Sequence, residues 1–507
     1  MFGTADNPLG TVYLVGAGPG HPGLITMRGI ECLRQADVVL YDYLVNPAIV
    51  EYAPLSADLV GLGHHKSGRA LSPAEITARM LEEARKGRTV VRLKGGDPSV
   101  FGRGAEEEEA LRTAGIPYEI VPGITAGLAV AAYCEIPITH HEEASAVAII
   151  TGRERDEKTE SHLGCGLADF PGTLIYYMGV RRVAEWSGAL IEQGKSPETP
   201  VAIVRWCSRA QQRTIRCTLG TVVNVVEEQD IRPPAVFVVG SVVGRAPEVS
   251  WFESRPLISA RVLVTGSPGT AEPLRDGLGA LGAEVMTRPV IRVTDPPDWA
   301  PVDAALKRLG DYDWLVFSSA NGVDYLLRRL YDSGADVRRL GRAKLAALGS
   351  GTAERLTRYS LRADLVPEQF VAESLVGALV AEARDRRFLI ARTDRGRNIL
   401  AAELEKAGAR VDQVVVYGSV DVEEPDPGAV AALSAGEIDW VTVTSSAIAR
   451  SVVRLYGDAL RQARLASIGP LTSATLRELG YEPAVVASPH STSGLIDAIV
   501  TGGPGRD

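Results

Sequence analysis

The stretch Val90-Val-Arg-Leu-Lys-Gly-Gly-Asp-Pro-Ser-Val-Phe-Gly-Arg-Gly104 limits what this chain can fold into more than any other. It begins as an apolar run of the kind buried on both faces of a parallel sheet, and it ends without a spacer in a glycine pair. Gly95 and Gly96 remove the Cβ atoms that would hold a flat or bulky ligand away. Asp97 offers a carboxylate acceptor, and Pro98 stiffens the exit. A buried strand that delivers such a loop predicts α/β architecture with a binding site of open specificity at the carboxyl end of the strand.

A second glycine loop, Val12-Tyr-Leu-Val-Gly-Ala-Gly-Pro-Gly-His-Pro-Gly23, also follows an apolar run and precedes a helical pattern over 24–36. It is not a dinucleotide fingerprint. His21 stands where the third glycine belongs, and Pro19 removes a backbone donor that a pyrophosphate would use. Further Val- and Ile-rich runs at 38–41, 90–93 and 147–151 alternate with helical patterns, which predicts mostly parallel, buried strands. Ser72-Pro-Ala-Glu75 is a capping box that starts a helix over 76–86. The acidic run 106–109 is expected to open the next helix, complementing its dipole and carrying no chemistry.

At 507 residues the chain exceeds one hydrophobic core, and about three lobes are expected. Periodicity fails over 244–260, where a linker fits, and the α/β alternation restarts at Arg261. Two further Pro- and Asp-rich breaks lie at 292–301 and 420–427. The similarity of Val316-Phe-Ser-Ser-Ala to Val443-Thr-Ser-Ser-Ala suits two related lobes. A net charge of -9 disfavours nucleic acid and anionic membrane surfaces as partners. No apolar stretch is long enough to span a bilayer, and the first eight residues lack a secretory pattern, so a cytoplasmic location is expected. The five cysteines (Cys32, Cys134, Cys165, Cys207, Cys217) are odd in number and never spaced as Cys-x-x-Cys, so neither a disulfide framework nor a metal site is expected.

The first half resembles uroporphyrinogen-III C-methyltransferase, of the tetrapyrrole methylase family. The resemblance is carried by the Gly16–Gly20 loop, Val39-Leu-Tyr-Asp-Tyr-Leu-Val45, the Gly95 loop, Val121-Pro-Gly-Ile-Thr-Ala126, Thr173-Leu-Ile-Tyr-Tyr-Met-Gly179 and Gln212-Arg-Thr214. The second half resembles uroporphyrinogen-III synthase through Tyr312-Asp-Trp-Leu-Val-Phe-Ser-Ser-Ala-Asn-Gly-Val323, Ala347-Leu-Gly349, Ile468-Gly-Pro-Leu-Thr472 and Pro489-His490. Together the resemblances imply a methyltransferase domain over 10–246, a linker over 247–260 and a two-lobed α/β synthase-like domain over 261–502. Its first lobe would hold 261–292 and 421–502, its second 295–418, with a cleft between them. They also imply a bifunctional tetrapyrrole enzyme that uses S-adenosyl-L-methionine and dimerises through the methyltransferase domain. The alternative is a methyltransferase whose second half binds tetrapyrrole without turnover.

Carried over residue by residue, the resemblance assigns the cofactor to Pro19, Gly95, Gly96, Asp97, Val100, Thr125, Ala126, Met178 and Cys207. Cys207 departs from the small residue expected there, and Met178 alone would read as core. Asp42, at a strand end, is either the base that removes a ring proton or an ordinary strand-end carboxylate. His64 stands where the family commonly has lysine and can still donate a proton near neutral pH. A polycarboxylate substrate needs local cations, for which Arg92, Lys94, Arg103, His140 and His141 are candidates. In the second half, Tyr417 is the proton donor by resemblance or else a half-buried strand tyrosine. Ser318, Ser319, Asn321, Ser445, Ser446 and Thr472 sit at strand-to-helix turns, as carboxylate contacts or plain N-caps. Two arginines common in the family are replaced, by Gly266-Ser267 and by Gly418, leaving Arg392, Arg395 and Arg397 as nearby cations.

Overall fold

Runs of Val, Ile and Leu become the inner strands because only a strand covered on both faces can hide apolar side chains on successive residues. The computed structural model describes residues 9–54, 56–63, 71–153, 166–367, 372–395 and 398–504. The chain divides into two units, Met1–Ser259 and Ala260–Asp507.

The first unit holds two sheets. Strands β1 (Val12–Gly16), β2 (Val38–Tyr41), β3 (Asp58–Gly61), β4 (Val90–Lys94) and β5 (Tyr118–Val121) form an all-parallel sheet in the order β3-β2-β4-β1-β5. β4 is buried at every position, including the charged Arg92 and Lys94. The helix Pro73–Arg85 that precedes it starts at the capping box, with Ser72 and Glu75 exchanging both bonds. Strands β6 (Val147–Thr151), β7 (Thr173–Tyr177), β8 (Pro200–Arg205), β9 (Arg213–Thr218) and β10 (Ala235–Val239) form the second sheet, ordered β6-β7-β10-β8-β9. Only β6 and β7 pair in parallel there. The expectation of mostly parallel strands fails in this sheet because the short connection from β8 to β9 leaves no room for a crossover helix.

Residues 247–259, expected as part of a linker, pack onto the first unit instead. Phe252 is buried and meets the Tyr133 ring edge-on at 4.7 Å, and Trp251 Nε1 donates to the Ala132 carbonyl at 2.7 Å. The segment lacks periodicity, but its aromatic residues supply the burial.

The second unit also holds two sheets. β11 (Arg261–Val264), β12 (Glu284–Thr287), β18 (Trp440–Val443), β19 (Arg464–Ser467) and β20 (Val485–Val486) are all parallel, ordered β12-β11-β18-β19-β20. β13 (Ile291–Thr294), β14 (Trp314–Phe317), β15 (Lys344–Ala347), β16 (Arg387–Thr393) and β17 (Arg410–Asp421) form the other, ordered β13-β17-β16-β14-β15. The second lobe is thus inserted into the first. β13 pairs antiparallel with β17, so the inserted lobe begins at Ile291, a few residues before the expected start at 295.

Candidate active sites

Three loops meet at the carboxyl end of the first parallel sheet. Gly18 and Gly96 exchange backbone hydrogen bonds at 3.1 and 2.8 Å, and the Ala17 N–H donates to the Lys94 carbonyl at 2.8 Å. Asp97 ties in the third loop: its Oδ1 accepts from Ser99 N at 2.8 Å and its Oδ2 from Gly123 N at 3.0 Å. The approach depends on missing side chains. A Cβ on Gly123 would lie 2.2 Å from the Gly96 carbonyl oxygen, and one on Gly16 would lie 2.6 Å from Gly123 N. Around Gly95 and Gly96 the space is open by comparison, the nearest atoms to an added Cβ being Leu44 Cβ at 3.3 Å and Thr125 Cα at 3.8 Å. That is a cradle with room for a ligand against bare backbone.

The second sheet supplies the facing wall. Thr125 Oγ1 and Tyr177 OH are 2.6 Å apart, and Tyr177 OH also accepts the Gly127 N–H at the start of the helix Ala126–Tyr133. The next residue, Met178, has φ +54° and stands 47% exposed. A methionine this exposed at a strained backbone is not core filler, which corrects the reading it would get alone. Phe101, on the loop that carries Val100, packs on the Tyr177 ring at 5.5 Å. The Pro19 loop reaches the turn after β8: His21 N donates to Ser208 Oγ at 3.0 Å, and a Cβ on Gly20 would lie 3.5 Å from the Cys207 carbonyl oxygen. Contact with Cys134, then burial, pushes the Cys207 thiol well above its ordinary value. It is therefore a small apolar group and not a nucleophile. These contacts bring the Gly96, Asp97 and Thr125 loops against Tyr177, with Met178 next in the chain, and set the loop after Pro19 on the Cys207 turn.

Asp42 follows β2 at the same edge. Its Oδ1 lies 2.6 Å from Arg92 Nη2, Arg92 Nε lies 3.0 Å from Glu107 Oε1, and Lys94 Nζ lies 2.8 Å from Glu107 Oε2. Arg92 and Lys94 are therefore buried and paired, and not cations offered to a ligand. Arg103, at φ +56°, is exposed at the start of the next helix. His140 and His141 lie with ring centroids 4.5 Å apart and planes tilted by 37° on the turn that feeds the amino end of β6, whereas Met178 leaves the carboxyl end of β7. His141 sits 3.7 Å from Glu142 and is not brought to the crevice by any contact among the described residues. His64 lies outside the described residues.

His21 supports a pH prediction. Its Nδ1 accepts the Gly23 N–H at 3.0 Å, a bond that protonation destroys. Burial and then the Arg255 charge hold its pKa below the ordinary 6.5. The unfolded chain therefore binds this proton first, and stability falls as pH drops below about 6.5 toward the folded-state value. His21→Asn keeps an acceptor without titrating, so its melting temperature should fall less than the parent's between about pH 7.5 and 5.5. Parallel curves would remove His21 from the acid response.

In the second unit, Tyr417 OH lies 2.9 Å from Ser319 Oγ, and Ser319 also caps the helix Ala320–Asp332 by accepting from Gly322 N at 3.1 Å. Burial pushes the Tyr417 phenol upward, opposed by bonds to Ser319 and Thr393. It is a buried, protonated hydroxyl within β17, beside the end of β16. Asp394, which sequence reading passed over, accepts from Ser419 N at 3.2 Å and Thr393 Oγ1 at 2.9 Å beside it. A Cβ on Gly269 would lie 3.2 Å from Asn321 Oδ1 and 3.5 Å from Arg355 Nη2, so the helix Pro268–Ala280 of one lobe abuts the other. Ser446 and Thr472 belong to the first lobe, where Thr475 Oγ1 donates to Ser446 Oγ at 2.9 Å and Thr472 is buried. Ser319 and Tyr417 are bonded to each other, Asn321 lies against Gly269 of the first lobe, and no described contact joins Ser446 or Thr472 to them. Arg392 bonds Gln413 at 3.1 Å and Arg395 pairs with Asp421 at 3.2 Å, while Arg397 lies outside the described residues.

A glycine-lined crevice between a parallel and a mixed sheet, followed by a two-lobed α/β unit, defines a chain with two sites of different build. Residues 11–223 match the Tetrapyrrole (Corrin/Porphyrin) Methylases and residues 272–497 match Uroporphyrinogen-III synthase HemD. The chain is 33% identical over 499 residues to the porphyrin biosynthesis protein HemD of Ruminiclostridium josui, covering 98% of this chain and 99% of that one. It is 47% identical over 235 residues to the uroporphyrinogen-III C-methyltransferase of Priestia megaterium, covering 46% of this chain and 99% of that one. It is 44% identical over 235 residues to the S-adenosyl-L-methionine-dependent uroporphyrinogen III methyltransferase of Methanosarcina barkeri, covering 46% and 92%. The chain belongs to the tetrapyrrole methylases through its first unit and to the uroporphyrinogen-III synthases through its second.

Proposed function

We propose that this chain makes uroporphyrinogen III from hydroxymethylbilane in its second unit and methylates it on two ring carbons in its first, giving precorrin-2 for corrinoid or siroheme synthesis. The observation that carries the reading is the crevice itself: Gly95, Gly96, Asp97, Thr125, Met178 and the Cys207 turn converge from both sheets around open backbone. Backbone polar groups there suit an amino acid and an adenine, and the exposed Met178 and the thiol suit an apolar wall. Bound at this place, S-adenosyl-L-methionine supplies the electrophilic methyl group. The protein's own work is to align the substrate carbon and to take a proton from it at the carboxylate of Asp42. No helix among the described residues is long and apolar enough to cross a membrane, in keeping with a cytoplasmic enzyme. Ile120 on the edge strand β5, with Ile124 and Leu128 beyond it, is exposed and suits a homodimer through this unit, which sedimentation of the full chain reads directly.

In the second unit, the Tyr417 phenol passes its proton to the leaving hydroxyl of the linear substrate, held in place by Ser319. Supplied with hydroxymethylbilane alone, the full chain should release the type III isomer; with S-adenosyl-L-methionine added, it should release precorrin-2. Tyr417→Phe should slow the first step about a hundredfold while leaving methylation of added uroporphyrinogen III intact. Only the spontaneous type I isomer from the parent chain would instead make the second unit a tetrapyrrole-binding module without turnover.

A further inference from the structure

The charged quartet beneath Asp42 carries an inference that rests on reading Asp42 as the base. Arg92 and Lys94 are two residues apart on β4, so their side chains leave the same face of the sheet. The helix Gly104–Thr113 lays Glu107 against that face, and each of its carboxylate oxygens takes one cation. Arg92 is held at all three nitrogens: Nε by Glu107, Nη2 by Asp42, and Nη1 by the carbonyls of Leu40 at 3.4 Å and Leu93 at 3.3 Å. Burial and the Arg92 charge push the Lys94 ammonium pKa down, and Glu107 opposes them.

Four balanced charges among Val and Leu side chains are a poor way to stabilise a core. Desolvating each ion costs several kcal/mol, and apolar residues of similar volume often serve as well or better. What the arrangement fixes is direction. A planar guanidinium tied at every nitrogen cannot rotate, so the N–H it gives to Asp42 Oδ1 has one orientation. Exposure picks out where the network ends. The Asp42 side chain is 32% exposed, against 4% for Arg92, 2% for Lys94 and 9% for Glu107. The quartet is rooted in the core and opens at the crevice through Asp42.

We propose that Arg92, anchored by Glu107, is a positioning residue for methyl transfer, fixing the Asp42 carboxylate in the one orientation that meets the substrate proton. Lys94 completes the anchor by holding the second oxygen of Glu107. All three side chains are buried, so each is assigned its part through Asp42 and not through contact with substrate or cofactor.

The test uses the full chain with uroporphyrinogen III and S-adenosyl-L-methionine. Arg92→Lys keeps the charge but loses the fork, and Glu107→Gln keeps the shape but loses the anchor's charge. Each should lower kcat for methyl transfer about ten- to a hundredfold, the effect of a misplaced group, with KM for S-adenosyl-L-methionine within about threefold of the parent. The decisive measurement is the same pair of changes made on Asp42→Asn. Residues that act only through Asp42 should then cost less than about threefold more. Calorimetric affinity for S-adenosyl-L-methionine and a cooperative melt establish that each variant is folded, and Glu107→Gln carries the test if Arg92→Lys fails to fold. Losses that multiply on the Asp42→Asn background, or parental kcat in both single variants, overturn the proposal while leaving Asp42 as the base. Parental turnover in Asp42→Asn itself overturns the base and this proposal together.

Discussion

Replacing Asp42 by Asn is expected to leave S-adenosyl-L-methionine binding unchanged and to lower methyl transfer by about a hundredfold or more. The substitution is nearly isosteric, and the amide oxygen can still accept the Arg92 N–H that now meets Oδ1 at 2.6 Å. Packing around β2 is therefore preserved, and the only function lost is the capacity to take up a proton. A base of ordinary effectiveness contributes at least about two powers of ten to turnover, so the change should fall on kcat. Initial rates of precorrin-2 formation, with calorimetry of cofactor binding alongside, read both quantities. Turnover within about threefold of the parent would make Asp42 a structural residue at a strand end.

Asp97→Ala should abolish measurable cofactor binding. Its two oxygens accept the N–H groups of Ser99 and Gly123, so one side chain closes the turn after Gly96 and ties that turn to a second loop. Each bond to a charged acceptor is worth about 1.5–3 kcal/mol, and losing both would weaken binding by more than about a hundredfold even before the loops drift apart. Asp97→Asn should be damaging too, because an amide presents a donor where one of the two N–H groups needs an acceptor. The measurement is a calorimetric titration with S-adenosyl-L-methionine. Parental affinity for Asp97→Ala would show that the crevice is held by its glycines alone.

The glycine pair and the neighbouring carboxylate were legible as a binding loop because their chemistry is local, whereas Thr125 entered only through the family resemblance. Gly95, Gly96 and Asp97 need no distant partner to declare close backbone approach. What escaped the sequence depends on partners far along the chain. Arg92 and Lys94 were read as candidate ligand cations, yet they face inward on Glu107, a member of an acidic run to which no chemistry was assigned. A signal was present: Gly104, Glu107 and Leu111 fall at helical spacing and all are buried, so this one glutamate shares the inner face. Tyr177 was missed as the partner of Thr125 and Gly127 because a tyrosine ending an apolar strand looks like core. His141 was placed near the substrate by its type alone, and the topology carries it to the other end of its sheet. The packed segment 247–259 read as a spacer because two prolines and missing periodicity hide the burial of Phe252 and Leu257.

The insertion of one lobe of the second unit into the other sets an order of assembly. β11 pairs with β12 soon after both are made, but its inner neighbour β18 lies 178 residues downstream, as the bond from Arg261 N to Asp439 shows. The inserted sheet is complete in the chain by Asp421, before any of β18, β19 or β20 has left the ribosome. Loop closure over such a separation is slow, and a folded insert shortens it by bringing its two ends, β13 and β17, side by side. The interrupted lobe therefore closes last, and a nascent chain arrested so that Asp421 but not Trp440 has emerged from the ribosome should protect the inserted lobe from protease while β11 still lacks its inner partner.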